Sequence, residues 1–330
     1  AWRGAGPARR RRRPLGRART MDKDKKARAS ALGTAWALGG YMACSAVMLL
    51  VNKLAVHHLP TPGFVLFCQL FTSGFLVWLV GKLGYIEVDP LSWNKVSRFW
   101  LVPVAFLMTV FANIKILQHS NVETFIVFRA STPLILSVLD AMLLGRELPS
   151  RKSWVCLFGL LAGAISYMHF ERGTMTATSY FWVVCWYIVF CFDQLFIKHV
   201  TDTVKMTTWG RVYYTNMIPV VPLFFIMYFS GEFDSLAGFD FTVASKSWLL
   251  ISCVCGIAIS YFAFLARAAI SATYFTVIGN TCKVITVALN IIVWDKHATP
   301  EGVMSLFLCL VCAFFYEQAP KRKDSMMLPR

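Results

Sequence analysis

The chain has 330 residues, of which 57% are hydrophobic and 15% charged, with 27 Phe, eleven Trp and a net charge of +16. Roughly ten apolar stretches of about 18–24 residues, the length a helix needs to cross a bilayer, run between Ala31 and Tyr316 on short polar connectors. That pattern excludes a soluble domain and leaves no connector long enough for a catalytic one, so the expected fold class is an all-α polytopic membrane protein.

Residues 1–20 carry eight Arg and no acid, so a chain starting at Met21 would carry +8. This run is expected to be an untranslated or disordered leader rather than a nucleic-acid or anionic-lipid site, and no cleavable apolar segment follows it. The expected domains are a basic, disordered tail over 1–30, a ten-helix membrane bundle over 31–318 and a tail over 319–330. Within the bundle the spacing predicts spans over 31–55, 62–83, 99–117, 122–144, 153–169, 178–198, 207–229, 247–267, 272–294 and 299–317. All should be helical, because backbone groups in hydrocarbon must bond within their own segment. Pro103, Pro133, Pro219 and Pro222 fall inside these spans and are candidate kinks.

An even number of spans puts both ends on one side. Connectors on that side hold Lys82, Lys95, Arg98, Arg146, Arg151, Lys152, Lys198, Lys205 and Arg267, plus Lys321-Arg322-Lys323. The other side holds mainly Arg172, Lys246 and Lys296 among acids, so both termini are expected in the cytoplasm.

The ten Cys all lie in apolar spans, where Cys packs as a small hydrophobe. Cys309 and Cys312 have metal-like spacing but no second ligand pair. The six His form no metal-binding pair, and no phosphate loop, nucleophile elbow or paired catalytic carboxylates appear. No cofactor, metal or nucleic acid is expected, and an enzyme reading starts weak.

A faint repeat links Glu123-Thr124-Phe125-Ile126-Val127 with Ala272-Thr273-Tyr274-Phe275-Thr276-Val277, each opening a span that ends in a charged turn before another apolar run. Five spans per half is odd, so the second half would enter from the opposite side as an inverted repeat, with the ligand site near the midplane.

Charges within spans are costly and usually line a cavity or pair. Lys53, Lys115 and Asp140 lie close enough to span ends to snorkel, whereas Arg129 and Lys283 lie deep without an acid nearby. Pairing with Asp193 or with carbonyls of another span is one reading; an anionic ligand is the other. Gly279 and Lys283 share a helix face at i and i+4, so a ligand could approach backbone beside a point charge suited to phosphate. Tyr213 and Asn216 share a face at i, i+3, an aromatic and an amide of the kind that reads a planar base.

Taken together, these strings resemble a family. Tyr213-Tyr214-Thr215-Asn216 is similar to the Phe-Tyr-Asn-Asn motif, and Gly279-Asn280-Thr281-Cys282-Lys283 to the Gly-Ala-Leu-Asn-Lys motif, of GDP-mannose-type nucleotide-sugar transporters in the drug/metabolite transporter superfamily. Tyr41, Asn52-Lys53, the run 121–129 and Ser260-Tyr261 extend the likeness, while 269–273 and 293–297 look most like the plant-type Golgi GDP-sugar branch.

The resemblance implies ten helices in two inverted five-helix halves. It implies that Tyr41, Tyr213, Tyr214, Thr215, Asn216 and Ser260 contact base and ribose. Gly279, Asn280 and Lys283 would contact diphosphate and sugar, with Phe275 where the family has Tyr and Arg129 as a second cation. Thr215 replaces the first amide of the pair, and Cys282 the Asn beside the Lys, so base and sugar stay open. Gly159 and Gly163 form a small-xxx-small pair, expected as a seam within the bundle rather than a dimer contact, and a homodimer is left open as a partner.

The expected function is a Golgi antiporter exchanging a nucleotide-sugar, GDP-mannose-like, for a nucleoside monophosphate by alternating access, with membrane lipid as its surround. A sugar-phosphate/phosphate translocator of the same superfamily is the alternative, and a non-transport scaffold or a membrane enzyme a more remote one.

Overall fold

The protein is described here by a computed structural model covering residues 15–119, 122–171, 177–293 and 300–322. In chain order the helices are α1 (Leu15–His58), α2 (Pro62–Lys82), α3 (Trp93–Phe99), α4 (Leu101–His119), α5 (Val122–Leu143), α6 (Arg151–Glu171) and α7 (Ala177–Thr203). They continue as α8 (Thr208–Met217), α9 (Val220–Phe229), α10 (Glu232–Ala237), α11 (Val243–Ala269), α12 (Ala272–Val293) and α13 (Pro300–Phe315). Each expected span coincides with a helix or a pair of them, though α1 is continuous back to Leu15, ahead of the start expected at residue 31. Six helical stretches among the described residues are long and apolar enough to cross a membrane, and α13 is a shorter apolar one.

Polar side chains at the helix ends account for several boundaries. Thr207 and Thr242 cap α8 and α11, accepting from Gly210 N (3.0 Å) and Ser245 N (3.2 Å), the usual N-cap satisfaction of orphan donors. Pro219, which has no N–H to donate, marks the break between α8 and α9. The start of α2 is capped from elsewhere in the chain: Glu232 of α10 accepts from Gly63 N (3.0 Å) and Phe64 N (2.8 Å). Carboxylates suit helix N-termini for the same dipolar reason. The other end of α2 is tied as well. Asp89, in the connector that follows, pairs with Lys95 and accepts from Thr207 N (2.7 Å) and its hydroxyl (2.9 Å). Burial alone would raise the Asp89 carboxyl, but the bonds from Lys95 and Thr207 outweigh it and hold it below the ordinary range.

Packing runs α1 along α11, α4 along α7, α2 along α8, α6 along α13, and α12 against α5 and α1. In lipid, association of apolar helices depends on close contact rather than on escape from water. The α6–α13 seam illustrates this: a Cβ on Gly163 would lie 2.7 Å from Cys309 Sγ and 3.0 Å from the Ser305 carbonyl, and Cys312 Sγ faces Gly159. The small-xxx-small pair is therefore occupied within the bundle, and Cys309 and Cys312 fill it. Large apolar side chains such as Phe71, Phe75, Trp78, Ile188 and Phe225 remain on the outer surface, as a lipid-facing helix requires.

Several charges assigned to connectors are instead held in tertiary contacts. Arg146 is 6% exposed and donates to the Ala319 carbonyl (2.8 Å). There the first residues of the C-terminal tail lie against residues 145–147, with Glu147 N bonded to Pro320 O and Arg322 N to Gly145 O. Lys198 is 3% exposed, donating to Asp202 (2.8 Å) and to the Arg267 carbonyl (2.7 Å). Asp140, expected near a span end with the option of snorkelling, is 2% exposed. It accepts from Thr273 N (2.9 Å) and Thr273 Oγ1 (2.5 Å) at the start of α12. Ser271 completes that terminus by accepting from Tyr274 N (3.0 Å).

Candidate functional site

The well-capped start of α12 fixes the helix that carries Phe275, Gly279 and Asn280. Phe275 and Gly279 fall on one face of it, one turn apart. Tyr41 of α1 lies against this face: its ring stands 4.6 Å from that of Phe275, and a Cβ on Gly279 would meet the Tyr41 hydroxyl at 3.5 Å. That distance is an ordinary van der Waals contact, so the phenol alone does not demand glycine here; the sequence reading assigned Gly279 to the approach of a ligand.

Two guanidiniums flank this pair. Arg129 of α5 lies 5.4 Å above the Phe190 ring, its Nε is buried with no hydrogen-bond partner, and its carbonyl accepts from Asn280 Nδ2 (3.2 Å). Arg267 of α11 stacks on Phe275, with Cζ 3.9 Å from the ring centre, and donates to Gln194 Oε1 (3.2 Å). Both lie within electrostatic range of the Tyr41 phenol. The cluster draws on α1, α5, α7, α11 and α12. It has the parts for anion recognition: planar fork donors, aromatic faces that orient them, and a glycine on the approach.

Of the residues expected at the site, Tyr41, Arg129, Phe275, Gly279 and Asn280 are brought together. Lys283 follows Gly279 by one turn on α12; its side chain lies outside the described residues, as do those of Lys53 and Lys115 and the whole of Asn121 and residues 294–297. The seventh-span motif sits apart from the cluster, on α8. Tyr214 is fully buried, donating to the Pro90 carbonyl (2.7 Å) and accepting from Ser92 N (2.9 Å), so its hydroxyl is engaged by the α2–α3 connector. Tyr213 and Tyr214 pack in a cluster with Phe99 and Phe264. Asn216 Nδ2 bonds the Val212 carbonyl within its own helix (2.7 Å), and Thr215 Oγ1 is buried without a partner. Ser260 is half-buried on α11, beside Tyr261, whose ring stacks on Trp209 at 4.3 Å. Phe264, one turn before Arg267 on α11, is the described link between the two groups.

Sequence reasoning missed Arg267, Gln194 and Phe190. The signal for Arg267 was present in its position two residues before the end of α11, but a cation near a span end reads as a connector charge. Phe190 and Gln194 share a face of α7 at i, i+4, together with a buried Asp193, which could have drawn attention to that face.

No protein-family model matches the chain. It is 36% identical over 291 residues to GDP-fucose transporter 1 of Arabidopsis thaliana, covering 86% of this chain and 84% of that protein. It is 33% identical over 293 residues to GDP-mannose transporter GONST3 of the same plant, covering 87% and 78%. A UDP-sugar transporter, UST74c of Drosophila melanogaster, matches at 22% identity over 302 residues, covering 87% and 79%. One crystal structure superposes with a TM-score of 0.62 at 14% identity, over 87% of this chain and 96% of that one, a likeness of fold alone. With 36% identity over 291 residues that span 84% of GDP-fucose transporter 1, and an all-helical, apolar architecture among the described residues, this chain belongs to the nucleotide-sugar transporters of the GDP-mannose transporter type.

Proposed function

We propose that the protein is a Golgi exchanger that carries a GDP-sugar inward and returns the nucleoside monophosphate, working by alternating access between two inverted five-helix halves. The observation that carries the reading is the pair of guanidiniums, Arg129 and Arg267, set around Tyr41, Phe275 and Gly279 inside the helical bundle. Cations in a partly desolvated site attract phosphate far more strongly than in bulk water, and no covalent step is needed. The relatives named for GDP-fucose and GDP-mannose favour guanine and a sugar of that class. Lys283 is assigned to the diphosphate, and Tyr213, Tyr214, Thr215, Asn216 and Ser260 to base and ribose, reached when α8 and α11 move relative to the arrangement described. Both termini face the cytoplasm, and the Gly159–Gly163 seam is not the contact of any homodimer.

The test is counterflow in proteoliposomes, varying base and sugar separately. GDP-sugars and GMP should compete best, and uptake should require internal monophosphate. Lys283→Ala should abolish exchange and Lys283→Arg restore it in part, because a planar fork does not reproduce a point charge. Equal steady uptake by empty and loaded vesicles would refute exchange. Normal transport by folded Lys283→Ala would show that this Lys is structural.

A further inference from the structure

Asp193 is a carboxylate in the interior of α7, buried among apolar residues where an ionised group is expensive to keep. It makes no direct ion pair within 4 Å among the described residues. Instead Gln194 stands between it and a cation: the Gln194 amide nitrogen donates to Asp193 Oδ2 (2.9 Å), and the amide oxygen accepts from Arg267 Nη2 (3.2 Å). The amide is thereby oriented, with its positive end on the carboxylate and its negative end on the guanidinium. Asp193 and Arg267 remain within electrostatic range of each other. Arg267 at the same time lies over the Phe275 ring, Cζ 3.9 Å from its centre, beside Tyr41.

We propose that Arg267 is a phosphate-binding cation of the transport site in addition to Lys283 and Arg129, and that Asp193, acting through Gln194, is the positioning countercharge that holds it when no substrate is bound. This rests on the transport reading above. A direct carboxylate–guanidinium pair would compete with substrate on equal terms, since both offer bidentate anionic oxygens. A neutral amide oxygen does not, so an incoming phosphate displaces the Gln194 bond readily while Phe275 keeps the guanidinium plane in place. The same carboxylate limits how tightly Arg267 retains an anion. A carrier needs that balance, because binding must be strong enough to load and weak enough to release.

The experiment uses the full-length protein in proteoliposomes, with GMP and guanosine as competitors of GDP-mannose exchange. Arg267→Gln should weaken competition by GMP about tenfold or more, the scale of one lost charged hydrogen bond, and leave competition by uncharged guanosine unchanged. Asp193→Asn keeps an acceptor for Gln194 but removes the charge, so KM and the maximal exchange rate should fall together, each about three- to tenfold, as release becomes limiting. In the Arg267→Gln background, Asp193→Asn should add nothing to KM. Should Arg267→Gln fail to fold, Arg267→Lys carries the same test, with GMP weakened more than guanosine. Equal weakening of GMP and guanosine, a slower Asp193→Asn protein with unchanged KM, or the same Asp193→Asn effect with and without Arg267 would each overturn the proposal. Wild-type protein that exchanges no nucleotide refutes the transport reading itself. Wild-type exchange with unaltered Asp193→Asn kinetics refutes this inference alone.

Discussion

The start of α12 is where fold and site depend on one bond pair, and Asp140→Ala is the perturbation that tests it. Asp140 and Thr273 are both 2% exposed, and one carboxylate oxygen accepts both the Thr273 N–H and its hydroxyl, at 2.9 and 2.5 Å. Truncation leaves two donors without this acceptor in a site closed to water, each costing about 1–3 kcal/mol. Removing a buried charge offsets part of that, and the Thr273 hydroxyl can rotate toward a carbonyl of its own chain. The expected net loss is about 2–4 kcal/mol. At roughly 2–4 °C per kcal/mol for a large domain, the midpoint in a thermal melt of detergent-solubilised protein should fall roughly 5–15 °C. Asp140→Asn separates acceptor from charge. It keeps an oxygen toward Thr273 and places its amide where Oδ1 now stands without a partner. Loss of charge assistance and relief of charge burial oppose each other there, so its melt should lie within about 1 kcal/mol of wild type by the same conversion. Because Phe275 follows Thr273 by half a turn, Asp140→Ala should also slow exchange. An Asp140→Ala melt within 2 °C of wild type on that scale, or an Asp140→Asn protein as weak as Asp140→Ala, would refute the reasoning.

Thr215→Asn, which offers an amide where a buried hydroxyl now has no partner, should sharpen guanine over uracil discrimination in counterflow about two- to tenfold, the value of one neutral hydrogen bond; UMP competing better than GMP against wild type would sink the guanine assignment. Gly163→Ala should destabilise the α6–α13 seam by about 1–3 kcal/mol in the same melt, because its Cβ meets Cys309 Sγ and the Ser305 carbonyl, and adding Cys309→Ala should recover part of the loss. The Asp89 tie should be insensitive to pH near neutrality: a carboxyl held below its unfolded value of about 3.9 contributes fully above that value and loses its contribution as pH falls through the folded one. The melting difference between wild type and Asp89→Ala should therefore be constant from about pH 8 to pH 5 and shrink below about pH 4, and a difference that vanishes already at pH 6 would contradict it.

Membrane helices leave a strong mark in a sequence because hydrocarbon forbids unpaired backbone, and so every span had to be an unbroken apolar run of about the same length. The helices over 62–82, 122–143, 151–171 and 272–293 could be drawn from hydropathy to within a few residues, and the deep charge at Arg129 pointed to the cluster it occupies. The Tyr41–Phe275–Gly279 contact was accessible only through the resemblance, since nothing local says that α1 meets α12. Arg267 was invisible as a site residue because hydropathy measures distance along the chain to a span end. A guanidinium on a long side chain can turn inward from there and stack on another helix. Likewise the Tyr214 hydroxyl belongs to the connector at Pro90 and Ser92, and Asp140 to the start of α12, more than a hundred residues away in each case. Periodicity along one helix assigns a residue to a face; which helix lies opposite that face is set by packing among all of them, and in lipid that packing is decided by the close fit of small residues such as Gly159 and Gly163, which only the assembled bundle reveals.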